Sequence, residues 1–234
     1  MIILIGYGLL LSFIQFYYPD SPISLDKGSG ILLLNILILA LLFFIGIFFK
    51  IEEKSLNAKE TAFIAIYSAF TAAVRVPFVG IPGVQPCSYL IFVAGYVFGP
   101  FIGFVIGGNT ALLSNIMLGH GPWTVYQIYG WGLFGILGGR LGKFYEKRER
   151  EIHKGIMSIM GFGFGFIYGW LLNSWFYVLT IRPITLSGFI LFNATSFIYD
   201  LAHAIGNVVF FYYFGERTIL ILQRYRHRFS IIIQ

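Results

Sequence analysis

The residues best placed to carry a proton or hold a polar ligand lie on one stripe near the C-terminal end. Asn193, Ser196, Asp200, His203 and Asn207 recur at steps of three and four, the spacing that aligns side chains on one helical face. They sit in an apolar run, Leu186 to Phe214, where an Asp at membrane depth costs roughly 2.5–3.5 kcal/mol and needs a partner or a hydrated cavity. His203, three residues on, is within reach as that partner, so the intramembrane pair Asp200 and His203 is open to three roles: a polar clamp between helices, a ligand contact, or a proton relay. A second set, Gln85, Asn115, His120, Trp123, Gln127 and Trp131, clusters around two loops, and Asn173 and Tyr177 lie further on. Amides and aromatic rings are the chemistry of binding; no nucleophile with an adjacent base and no metal-ligand cluster stands beside them, so no catalytic residue and no metal site is expected. Cys87 is the only cysteine, which excludes an intrachain disulfide and a Cys-based zinc cluster. Gly130 to Gly135 matches G-x-G-x-x-G, but no strand precedes it. No G-x-x-x-x-G-K-[ST] occurs, so energised transport would draw on an ion gradient or on a partner's ATPase.

The elements that must position these residues follow from composition. Of 234 residues, 58% are hydrophobic and 11% charged, against about 25% charged in soluble domains; mean hydropathy is +0.81. Such a chain needs the bilayer as solvent, and a sizeable extramembrane catalytic domain is excluded. Apolar runs occupy Ile2 to Tyr18, Ile31 to Phe49, Ala58 to Val74, Ser88 to Phe98, Phe101 to Leu118, Val125 to Leu141, Ile156 to Thr180 and Leu186 to Phe214. The first reads as a retained helix, since no cation precedes it and no small-residue cleavage site follows. The fourth is too short to span alone, leaving a choice between a tight turn at Gly99-Pro100 and one long kinked span. Positive charge favours the turn. With it, thirteen of the sixteen Lys and Arg fall on one side, leaving Lys27, Arg75 and Arg182 opposite. The pI near 9.4 is thus a topology signal rather than a nucleic-acid one. The expectation is a multi-pass cell-membrane protein with eight spans and both termini cytoplasmic.

Small residues mark the packing faces. Ala58, Ala62, Ala65, Ala69 and Ala72 alternate by four and three, and Ala65, Ala69 and Ala73 form an Ala-x3-Ala-x3-Ala row; Gly95, Gly99, Gly103 and Gly107 recur every fourth residue, as do Gly161, Gly165 and Gly169. Membrane helices associate where small side chains let backbones approach. The glycines predict internal packing, and the alanine face suits either another helix of this chain or a separate subunit. Gln127, Trp131, Asn173, Tyr177, Asn193 and Asp200 fall in the expected outer halves of the last three spans, which predicts a pocket open to the outside.

The strings GVQP, AGYVFGPFIGFVIG and SNIMLGHGPWTVYQIYGWGLFGILGG, with the later DLAHAIGN, make the region from Ala58 to Arg217 resemble the substrate-binding S components of energy-coupling factor (ECF) transporters, most like the cobalamin-type branch. That resemblance implies an all-α integral membrane fold: residues 51–234 as a six-helix substrate-binding domain with a basic cytoplasmic C-terminal tail, preceded over 1–50 by two additional transmembrane helices. It implies a vitamin-like ligand, cobalamin or a related corrinoid, held near the outer face by Gln85, Asn115, His120, Trp123, Gln127, Trp131, Asn173, Tyr177, Asn193 and Asp200. The gates would be the loops Arg75 to Cys87 and Gly119 to Thr124. It also implies docking of Ala65, Ala69 and Ala73 on a transmembrane coupling (T) subunit carrying two ATPase subunits. His120 or His203 as a cobalt ligand competes with ordinary loop and helix-pairing roles; no cofactor and no nucleic acid is implied. The competing reading is an autonomous proton-coupled carrier using Asp200 and His203.

Overall fold

The computed structural model describes residues 56–181 and 183–231, together with Ile38 and Ile45. The two N-terminal spans expected over 1–50 otherwise lie outside the described residues. The chain divides into two units, whose described parts are 170–196 in one and 57–169 with 197–231 in the other. All regular structure among the described residues is helical.

In the larger unit, α1 (Ala58–Arg75) begins at a capping box: Asn57 Oδ1 accepts from Glu60 N–H at 2.8 Å, and Glu60 Oε2 accepts from Asn57 N–H at 3.2 Å. It ends where Pro77 enters the short 3-10 turn Val76–Phe78. Phe63, Ile64, Tyr67, Ser68, Thr71, Ala72 and Arg75 are buried, whereas Ala62, Ala65, Ala69 and Ala73 are exposed beside Ile66 and Phe70. The Ala65, Ala69, Ala73 row therefore does not serve the described internal packing.

α2 (Cys87–Phe98) and α3 (Pro100–Leu118) meet at the Gly99-Pro100 turn, where Gly99 has φ 97° and ψ 169°. A side chain is strained at that φ, and Pro100 is pre-set for the first helical position. Gly95 and Gly103, four residues either side of Gly99, lie against each other, so the pair is an antiparallel hairpin. α2 is short for a membrane crossing, and Leu90 to Val97 are almost wholly buried. α4 (Trp123–Glu146) completes the core, antiparallel to α3 and parallel to α2. A Cβ on Gly103 would lie 2.5 Å from the Gly135 carbonyl oxygen, and one on Gly107 would lie 2.6 Å from the Trp131 carbonyl carbon. Likewise Gly138 faces the Phe92 carbonyl and Gly142 that of Tyr96. Backbone contact along three helices is what the missing side chains provide.

α5 (Lys154–Thr180) crosses from this unit into the smaller one after Gly169. Its Gly161, Gly165, Gly169 row packs on α7 (Phe197–Phe210): Gly161 meets Asn207 and Phe211, Gly165 the backbone of Ala204, and Gly169 the carboxylate of Asp200. Asn207 Nδ2 donates to the Gly161 carbonyl at 2.9 Å, tying the two helices by a side chain as well. A π-helical turn, Phe211–Gly215, leads into α8 (Glu216–Ile231), whose Arg226 donates to the Val97 carbonyl at 3.1 Å and pairs with Glu146 at 3.3 Å. The basic tail is thus helical.

The last apolar run, expected as one span, is two helices. α6 (Leu186–Thr195) starts at a Thr185 cap and stops at Ser196, which has φ −91° and ψ 0°. Three side chains in that last turn turn back on the helix: Asn193 Nδ2 donates to the Phe189 carbonyl, Thr195 to that of Phe192 and Ser196 to that of Asn193. Such local bonds compete with the helical ladder and end it. Asn193 and Ser196 are therefore not on the same helix as Asp200, His203 and Asn207. By length and composition, Ala58–Phe78, Pro100–Leu118, Lys154–Thr180 and Phe197–Arg228 can cross a membrane, with Cys87–Phe98 and Leu186–Thr195 as shorter apolar helices.

Candidate functional site

At the end of the bundle where α1 and α3 finish and α2 and α4 begin, polar side chains converge on a residue the sequence reading treated only as a loop charge. Arg75 is 9% exposed. Its Nε donates to Gln85 Oε1 at 3.0 Å, and its Nη1 donates to Ser114 Oγ at 2.7 Å and to Asn115 Oδ1 at 2.9 Å. Its guanidinium lies 5.0 Å from the centre of the Trp131 ring. Among the described residues it forms no ion pair, so a buried cation is held by neutral oxygens and one aromatic face.

Asn115 passes the network on, its Nδ2 donating to Thr124 Oγ1 at 2.9 Å and to Gln127 Oε1 at 2.6 Å. His120 lies at the edge, its Nδ1 3.4 Å from the same Thr124 hydroxyl, and the Trp123 ring lies over Gly121. Trp131 is fully buried, stacked on Tyr168 with ring centres 5.2 Å apart, and its Nε1–H donates to Ser88 Oγ at 3.3 Å. Ser88 Oγ is in turn 3.0 Å from His203 Nε2. Gln85, Asn115, Gln127 and Trp131 of the expected ligand set are thus assembled in one place, with His120 beside them.

Asp200 and His203, expected as a pair, each lie against a different neighbouring helix. Positions three apart on a helix diverge by about 60°, enough here to address different neighbours. His203 bonds Ser88 of α2, while the Asp200 carboxylate faces Gly169 of α5. Among the described residues no group of three His, Cys, Asp or Glu could hold a metal ion.

Asn173, Tyr177 and Asn193 belong to the smaller unit. Asn173 Nδ2 donates to Asn193 Oδ1 at 3.0 Å and to Ser196 Oγ at 2.7 Å. Tyr177 is fully buried; its hydroxyl donates to the Thr185 carbonyl at 2.9 Å and accepts from the Thr185 N–H at 3.1 Å. That is a clasp on the α5–α6 loop, not a free binding group. Tyr177→Phe is expected to destabilise the protein by about 1–2 kcal/mol and leave ligand affinity unchanged, as thermal unfolding and a binding titration would show.

The sequence reading missed Arg75, Ser88, Ser114, Thr124 and Tyr168. For Arg75 a signal was present: it is one of three cations left on the face that the charge rule otherwise clears. Ser114 and Thr124 lie in the SNIMLGHGPWT string that carries the resemblance, whereas Ser88 and Tyr168 carried no signal.

A family model described as "ECF-type riboflavin transporter, S component" matches residues 55–223. The chain belongs to that family. The match begins at the cap of α1 and runs into α8, so it contains the whole polar cluster. The S component is the substrate-capture subunit of an ECF transporter, a multi-pass plasma-membrane protein that works with T and ATPase subunits and is not itself an enzyme. The match carries the expected S component but not the expected cobalamin-type branch. No match was found among curated proteins or among solved structures.

Proposed function

We propose that this S component captures riboflavin, or a ligand with the same flat, carbonyl-bearing ring, at the Arg75, Asn115, Gln127 cluster. The family match to riboflavin-type S components carries the reading. The cluster supports it: polar groups from α1, α2, α3, α4 and both adjoining loops meet at one end of the bundle. The charge rule assigns this end to the outer face, with both termini cytoplasmic. The corrinoid expected from sequence has less support, because the family match is riboflavin-type, and of the two histidines considered for cobalt His203 is engaged with Ser88 and His120 sits beside Thr124.

Energy comes from the partners. The exposed Ala65, Ala69, Ala73 row is read as the docking face for the T subunit, where methyl-sized side chains admit another backbone. Residues 1–50 are read as two further membrane helices that precede the six-helix domain in the chain.

The test is uptake of labelled riboflavin by proteoliposomes containing this chain, the T subunit and both ATPases. Uptake that requires ATP is expected. Uptake by the chain alone, driven by a proton gradient and abolished by Asp200→Asn, would replace the reading with the autonomous carrier. Under the present reading Asp200→Asn leaves uptake independent of the proton gradient.

A further inference from the structure

Arg75 fixes the hydrogen-bond polarity of every amide around it. A guanidinium has donors only, so whatever bonds it must present oxygen. Gln85 and Asn115 do so, which turns their amide nitrogens away from Arg75. Asn115 then spends both Nδ2 protons on Thr124 and Gln127, so Gln127 also has its oxygen occupied. The N–H groups left over nearest the guanidinium are donors. Arg75 Nη2 and Gln85 Nε2 make no hydrogen bond among the described residues. The Tyr168 hydroxyl is buried beside the Gln127 side chain, which engages it, and lies within electrostatic reach of Arg75.

We infer that Arg75 and Gln85 form a donor edge that selects a ligand by a pair of acceptor oxygens, carbonyl or carboxylate, and rejects cationic ligands. This deepens the proposed function and rests on its placing of the ligand at this cluster. The uncompensated guanidinium is the reason the selection is strong. In a site of low dielectric a ligand oxygen gains a charge-assisted bond, whereas a ligand cation meets like charge with no carboxylate to offset it. Riboflavin meets the requirement through the carbonyls of its pyrimidine-like ring, and carboxylate vitamins such as biotin meet it as well. Thiamine, a cation, does not.

The experiment titrates riboflavin, biotin and thiamine into the purified full-length chain in lipid nanodiscs, for wild type, Arg75→Gln and Gln85→Glu. Arg75→Gln removes the charge and tests the edge directly. Gln85→Glu keeps the shape and gives Arg75 an internal carboxylate that competes with the ligand oxygen, so it is expected to fold at least as stably as wild type. Both variants are expected to weaken riboflavin binding by at least about 30-fold, with the melting temperature of Gln85→Glu unchanged or raised. Riboflavin bound equally by wild type and Gln85→Glu overturns the inference and leaves the flavin reading standing. Biotin bound in place of riboflavin, and lost in both variants, overturns the flavin reading and upholds the donor edge. Binding of thiamine, or of neither acceptor-bearing vitamin, overturns the inference.

Discussion

Gly135→Leu is expected to prevent accumulation of folded protein. Gly135 faces the Gly103 backbone on α3, and Gly95 on α2 in turn faces the Gly135 carbonyl, so three main chains meet where a side chain would stand. Overpacking a core ordinarily costs about 1–3 kcal/mol because neighbouring side chains shift. Here no side chain is available to move, and the helices themselves must separate, breaking the glycine contacts on both sides. A loss comparable with the roughly 5–15 kcal/mol that holds an ordinary domain together follows. Gly163→Leu on α5 is the control, since a Cβ there meets nothing within 4 Å. Size-exclusion profiles of detergent extracts should show a monodisperse peak for Gly163→Leu and only aggregate for Gly135→Leu; a normal peak for Gly135→Leu would refute the packing account.

Ala69→Trp is expected to abolish ATP-dependent uptake while leaving ligand affinity within about twofold. Ala69 lies on the exposed side of α1, across the helix from the buried Tyr67, Ser68 and Thr71. A bulky ring there touches neither the bundle core nor the Arg75 cluster, so folding and capture proceed. It does keep a partner helix from reaching the backbone, which is where membrane helices gain most of their contact energy. Co-purification of the T subunit with wild type but not with Ala69→Trp, measured beside a binding titration on the isolated chain, separates coupling from capture. Retained T-subunit binding would move the docking face elsewhere.

The membrane class, the helical fold, the Gly99-Pro100 turn and the glycine seams were legible because each depends on local properties of the chain. A run of apolar residues, a glycine every fourth position and a Gly-Pro pair act through hydropathy, backbone approach and φ preference, and none needs a distant partner to be recognised. The S-component resemblance was legible for the same reason, since the strings that carried it lie at those turns and seams. The branch was not: cobalamin-type and riboflavin-type members share that scaffold, and the bundle packing that makes the strings recognisable says little about the ligand.

Polar chemistry was read less well, and the errors share one cause. Asp200 and His203 were paired because they are near in sequence, yet the bundle gives His203 to Ser88, 115 positions away, and turns Asp200 to Gly169. The stripe from Asn193 to Asn207 was drawn on an unbroken helix, whereas Asn193, Thr195 and Ser196 bond back on their own turn and end it. Arg75 enters the sequence pattern only as one of three cations opposite the basic side. Sequence by itself determined that the chain is a membrane protein, that it is helical and which faces pack closely, since hydropathy and side-chain size act residue by residue. Only the tertiary structure decided which polar groups meet, because a hydrogen bond requires two atoms within about 3 Å, and for Arg75 those atoms come from residues 10, 39 and 40 positions along the chain.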